Sequence, residues 1–110
     1  MDADEREEIW DEFRELVNMT AADLEKWLAS DRSKDAGQHK DGGESTGHAS
    51  GRRIVDILRT KKGDLSDDDH RHMRKVVGYI RRHLAQRPSG DVEDTRWRYS
   101  LMNWGHDPLA

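Results

Sequence analysis

The stretch "GDLSDDDHRHMRKVVGYIRRHLAQRP", Gly63 to Pro88, constrains the fold more than any other part of the chain. Ser66 can accept a hydrogen bond from the open amides of a helix start. Asp67, Asp68 and Asp69 place negative charge on the positive end of the helix dipole, and Pro88 cannot continue a helix. Between these signals, Met73, Val76, Val77, Ile80 and Leu84 fall on one side of a wheel drawn at about 100° per residue. The spacing predicts a long helix over residues 67–86 whose oily side needs other elements to cover it.

Four further helical patterns supply that cover. Ile9, Trp10, Phe13, Leu16 and Val17 recur at the spacing of one helix face, with Glu and Asp opposite, and predict a helix over 4–17. Thr20 can cap a short helix over 21–30, with Asp23 three residues on and Leu24, Trp27 and Leu28 as its buried stripe. Ile54, Val55, Ile57 and Leu58 predict a helix over 51–62 that starts near Ser50 or Gly51, with Gly63 just beyond it. Within it, Asp56 is spaced to pair with both Arg52 and Arg59. Asp94 can cap a last helix over 95–104, where Trp97, Leu101 and Trp104 share a face, Gly105 supplies a left-handed cap and Pro108 follows.

Residues 31–47, "DRSKDAGQHKDGGESTG", hold one Ala as their only apolar side chain and four Gly, so burial cannot offset their ordering entropy and a long mobile loop is expected. No alternating pattern of useful length predicts a strand. The expected class is all-α, a small single-domain bundle of about five helices spanning residues 1–110.

Composition sets the limits on function. With 110 residues, 33% hydrophobic, the chain supports one modest core, and a mean hydropathy of -1.12 excludes a second. It has no Cys, which removes disulfides and thiolate metal sites. No apolar run approaches the roughly 18 residues of a membrane span, and the opening "MDADEREEIW" is acidic where a secretory signal is basic and then apolar. The expectation is a cytoplasmic protein with no membrane partner.

The formal net charge of -4 hides a segregation: residues 1–31 carry 11 acidic and three basic side chains, whereas residues 51–87 carry 11 basic and five acidic. Such asymmetry serves either self-complementary packing or a surface for a polyanion. On the 67–86 helix, Arg71, Arg74, Lys75, Arg81 and Arg82 gather around Gly78, opposite the oily side. His72, Tyr79 and His83 form a strip along one flank, where residues commonly pack one edge on the core and wet the other.

The segment "GHASGRR" brings Arg52 and Arg53 to the start of the 51–62 helix, a generic anion site where open amides and guanidiniums meet. It is no nucleotide loop, because only three residues separate Gly47 and Gly51, no strand pattern precedes them and no Lys-Ser/Thr pair follows. Ser45, Thr46, His48 and Ser50 are equally alternatives for capping. Neither a strained nucleophile turn nor an oxyanion hole accompanies His48, Ser45, Ser50 and Glu44, and His70 and His72 diverge on their helix. No enzyme activity, metal, cofactor or small-molecule substrate is therefore expected.

The strings "LVNMTAADLEKWL", "GHASGRRIVDIL", "HMRKVVGYIRRHLAQRP" and "YSLMNWGHDP" resemble a small uncharacterised family labelled domain of unknown function 3140, from about Glu12 onward. Its members often carry the label of DNA-binding proteins. The resemblance implies that label without assigning residue roles, and it marks Trp104 to Pro108 as a structural closure or a binding edge.

The reading from residues is a nucleic-acid-binding protein, taking DNA without strong sequence preference through Arg52, Arg53, Arg71, Arg74, Lys75, Gly78, Arg81 and Arg82. It requires that the outward cations of the long helix lack carboxylate partners. The alternative is an interaction module, in which the acidic first helix pairs with the basic fourth predicted helix within a monomer or between copies in a homodimer.

Overall fold

A computed structural model describes residues 1–36 and 46–110. Among the described residues six α-helices follow in order: α1 (Ala3–Leu16), α2 (Ala21–Leu28), α3 (Asp31–Ala36), α4 (Thr46–Arg59), α5 (Asp67–Leu84) and α6 (Arg96–Asn103), with a 3₁₀ turn at Lys62–Asp64. The fold is all-α, and no described helix is long and apolar enough to cross a membrane.

Local chemistry sets several helix ends where the residue types predict them. Asp2 and Thr20 accept the amides of Glu5 and Asp23 at the starts of α1 and α2. Ser66 and Asp69 form a reciprocal capping box on α5, each side chain bonding the other's backbone N–H. At the far end of the chain Gly105 adopts φ +82° and closes α6, with Gly105 N–H on Met102 C=O and His106 N–H on Leu101 C=O. This pairing is the Schellman arrangement that a left-handed glycine permits.

α1 lies along α5, and α2 packs on α4. Ile9, Phe13, Leu24, Leu28, Ile54, Ile57, Met73, Val76, Val77, Ile80, Trp97 and Leu101 join one core, to which Val17, Leu65 and Val92 contribute from the connections. The segment after α6 is laced to the turn between α1 and α2. His106 Nδ1 donates to Leu16 C=O at 2.6 Å, while Asn18 and Asp107 exchange side-chain and backbone hydrogen bonds at 2.8 and 2.9 Å. Arg98 grips Asp107 with two hydrogen bonds of 3.1 Å. Burial works against the charged form of Asp107, but the Arg98 fork and the Leu109 N–H override it and hold the carboxyl below its usual value. The expected structural closure at Trp104 to Pro108 is this latch.

Three expectations need correction. Residues 31–47 are not wholly loop, because Asp31–Ala36 and Thr46–Gly47 are helical; residues 37–45 lie outside the described residues. α3 exists without an apolar stripe because hydrogen bonds hold it: Ser33 is fully buried and its hydroxyl donates to Asn103 Oδ1, Asn103 Nδ2 returns a bond to Ser33 C=O at 3.0 Å, and Arg96 reaches the carbonyls of Asp35 and Ala36.

The second correction concerns α4, which runs from Thr46 to Arg59 rather than over 51–62. Gly47 and Gly51 do not break it; Gly51 faces neighbours where a side chain has no room, and Gly47 faces a tight approach to Trp104. A Cβ on Gly51 would sit 2.5 Å from Asn103 O and 2.7 Å from Leu28 Cδ2, and one on Gly47 would sit 3.2 Å from Trp104 Nε1. The third concerns α6, which is capped by Thr95, accepting from Arg98 N–H, and not by Asp94. Asp94 instead accepts from the Tyr99 hydroxyl.

Candidate nucleic-acid interface

The helix wheel splits the cations of α5 into two groups. Arg74 and Arg81 turn toward α1 and lie 4.0 Å from Glu5 and 3.7 Å from Glu12. Arg71 pairs with Asp68 one turn before it. The expectation that the outward cations of α5 lack carboxylates is corrected for these three: α1 lays its acidic face beside Arg74 and Arg81, and Arg71 pairs with Asp68 within α5. All three guanidiniums stay more than half exposed, so they are paired at the surface rather than covered.

Lys75 and Arg82 turn the other way. Among the described residues no carboxylate lies within ion-pair distance of either. Gly78 sits between them, and the Arg82 guanidinium folds over it, its Nη1 3.1 Å from where a Cβ would be.

The α4 arginines fall elsewhere. Helix α4 begins five residues before Gly51, so the amides next to Arg52 and Arg53 lie within the helix, and no helix start accompanies them. Arg53 approaches Asp69 at 3.5 Å, at the head of α5. Arg52 lines a separate hollow of about 450 Å³ with Glu25, Lys34, His48 and Asp56, to which α5 contributes nothing. The structure thus brings Lys75, Gly78 and Arg82 together, keeps Arg71, Arg74 and Arg81 on the adjoining strip, and sets Arg52 apart. Arg59, expected to pair within its helix, bonds Glu25 of α2 at 2.7 Å.

Lys75 and Arg82 form one lip of a cleft of about 840 Å³ between α5, α6 and the first turn of α4. Among the described residues its lining includes a third cation, Arg96, and no Asp or Glu. The floor is a ladder of nearly parallel rings. Trp104 stacks on Tyr79 at 4.1 Å between centroids, Tyr79 on His83 at 5.2 Å and His83 on Trp97 at 6.2 Å, while His72 lies 6.4 Å beyond Trp104. Arg87 completes the ladder over the outer face of Trp97.

The ring ladder is neutral at pH 7. Burial, then the charges of Arg53 and Lys75, lower the His72 pKa to about 4, and its Nε2 lies 3.0 Å from Ser50 Oγ. Burial likewise lowers the pKa of His83 and raises that of Tyr79. Among the described residues that line the cleft, the positive charge therefore comes from Lys75, Arg82 and Arg96.

Two polar atoms at this floor lack partners. His83 Nε2 is buried without a hydrogen bond. Trp104 is 3% exposed, yet its indole N–H makes no hydrogen bond among the described residues, whereas Trp27 donates to Asn103 Oδ1 and Trp97 to His83 C=O.

The sequence reading missed the cleft because half of it comes from α6, whose Arg96, Trp97 and Trp104 become neighbours of Lys75 and Arg82 only through packing. The signal was present in part: the His72, Tyr79 and His83 strip is the face of α5 on which α6 lies. Among comparisons with known proteins, the family model described as Protein of unknown function (DUF3140) matches residues 12–102. No curated protein and no solved structure matches the chain.

Proposed function

The chain belongs to the DUF3140 family, whose description names no activity, and we propose from the geometry that it is a cytoplasmic nucleic-acid-binding domain. It takes DNA without strong sequence preference through the cationic side of α5. The observation that carries this reading is the pair Lys75 and Arg82, cations with no carboxylate partner among the described residues, flanking Gly78 on the longest helix. Arg71, Arg74 and Arg81 extend the strip. Exposed ion pairs such as theirs contribute only about 0–1 kcal/mol, so exchanging a carboxylate for a phosphate oxygen costs little, and release of condensed counterions from the DNA supplies the affinity.

The self-association alternative has less support. α1 already buries Ile9 and Phe13 against the core of its own chain, and its Glu5 and Glu12 already face its own α5. A second copy is offered no apolar face by that helix.

The test is a fluorescence anisotropy titration of a short DNA duplex over a salt series. The double substitution K75A/R82A should weaken binding and flatten the slope of log K against log salt by about 2, at roughly 0.9 per phosphate contact. R74A/R81A should have the smaller effect, because those cations first give up Glu5 and Glu12. Equal binding by wild type and K75A/R82A rejects the surface.

A further inference from the structure

We propose that the cleft between α5 and α6 seats one unpaired nucleotide of a single strand, with Lys75, Arg82 and Arg96 around its phosphate and the Trp104 indole N–H as a donor to it. This deepens the proposed function and rests on it.

Four observations converge on that ligand class. The volume, about 840 Å³, falls within the roughly 300–1,000 Å³ typical of sites that enclose a small organic molecule, and a closed double helix does not fit such a concavity. Among the described residues three cations and no carboxylate line it, which favours an anion. The floor is built from aromatic rings, Tyr79, Trp97 and Trp104, whose edges offer apolar contact to a heteroaromatic base carried by the anion. Finally, the indole N–H of Trp104, a residue of the cleft lining, makes no hydrogen bond among the described residues, whereas those of Trp27 and Trp97 do, so it is open to an acceptor on a ligand.

The ring geometry also says how the base is held. Tyr79 is sandwiched between Trp104 and His83, and Trp97 between His83 and Arg87, so these faces are already occupied. The base therefore meets ring edges, while Thr46, Gln86 and Ser100 of the lining offer hydroxyl and amide groups to its rim. Hydroxyls that rotate and an amide that both donates and accepts can serve more than one base. A nucleotide can reach the cleft only when it is free of a partner strand, which predicts a preference for single strands over duplex.

The experiment follows the indole ¹⁵N–¹H resonances of the full chain during titration with a short oligothymidylate, with a hairpin duplex of equal phosphate number and with thymidine monophosphate as separate arms. The Trp104 resonance should shift saturably with the oligothymidylate while that of Trp10, on α1, does not. The single strand should bind about tenfold more tightly than the hairpin. Thr46→Trp, a bulky change at an exposed position on the rim, should abolish both the Trp104 shift and the tenfold preference while leaving salt-dependent hairpin binding in place.

Single-strand binding that leaves the Trp104 resonance unmoved overturns this inference and spares the proposed function. Thymidine monophosphate binding as tightly as the oligomer overturns it in favour of a free nucleotide. Absence of binding to either polymer overturns the proposed function itself. The wild-type titrations decide these outcomes even if the Thr46 variant fails to fold.

Discussion

Replacing Gly51 with alanine tests whether the glycines of α4 are packing residues. In an exposed helix interior the change stabilises, since glycine is about 0.8–1.0 kcal/mol less favourable than alanine there. At Gly51 the added methyl would lie 2.5 Å from the backbone oxygen of Asn103, with Leu28 Cδ1 and Cδ2 at 3.0 and 2.7 Å. Leu28 can rotate, but the Asn103 carbonyl sits at the end of α6 and cannot withdraw without moving the latch that follows it. Forcing an extra methyl into a packed interior costs about 1–3 kcal/mol and more where backbone must shift. The net expectation is a loss of about 1–2 kcal/mol, or roughly 4–8 °C in midpoint for a chain of this size.

Gly78→Ala is the matched control. Its methyl would meet only Arg82 Nη1 at 3.1 Å, the far end of a flexible side chain, so the helix-propensity gain should survive and the protein should become more stable by up to about 1 kcal/mol. Both midpoints are read by circular dichroism at 222 nm during heating and in urea. Stabilisation by Gly51→Ala as large as that by Gly78→Ala would refute the close approach of α4 to α6.

Other perturbations follow from buried polar groups. Asn103→Ala removes the acceptor of the Trp27 indole and of the Ser33 hydroxyl and the donor to Ser33 C=O, at a position 1% exposed, so a loss of about 3 kcal/mol or more is expected, with α3 released first. Hydrogen exchange should show early opening of residues 31–36, and uniform protection there would count against this role. For pH, the His72 pKa is lowered to about 4 in the folded chain from an ordinary value of 6.5. Between those values the unfolded chain binds more protons, so stability should fall as pH drops from 6.5 toward 4. His72→Gln should reduce that slope, with His83 contributing part of what is left; an unchanged slope would place the dependence elsewhere.

The sequence by itself determined the features that rest on interactions within about four residues. The capping box at Ser66 and Asp69, the Thr20 cap, the left-handed Gly105 and the apolar stripe of α5 all act along one turn of backbone, so residue type and spacing suffice to place them. The acidic and basic segregation was equally plain. Only the tertiary structure decided which charges neutralise which: Glu5 and Glu12 reach Arg74 and Arg81 because α1 lies along α5, while Lys75 and Arg82 turn toward a side that brings no acid among the described residues. α3 and the first turn of α4 were illegible for the same reason. Their order comes from Asn103 and Trp104, some 50 to 70 residues away along the chain, and a hydrogen bond or a missing Cβ that serves a distant partner leaves no local periodicity.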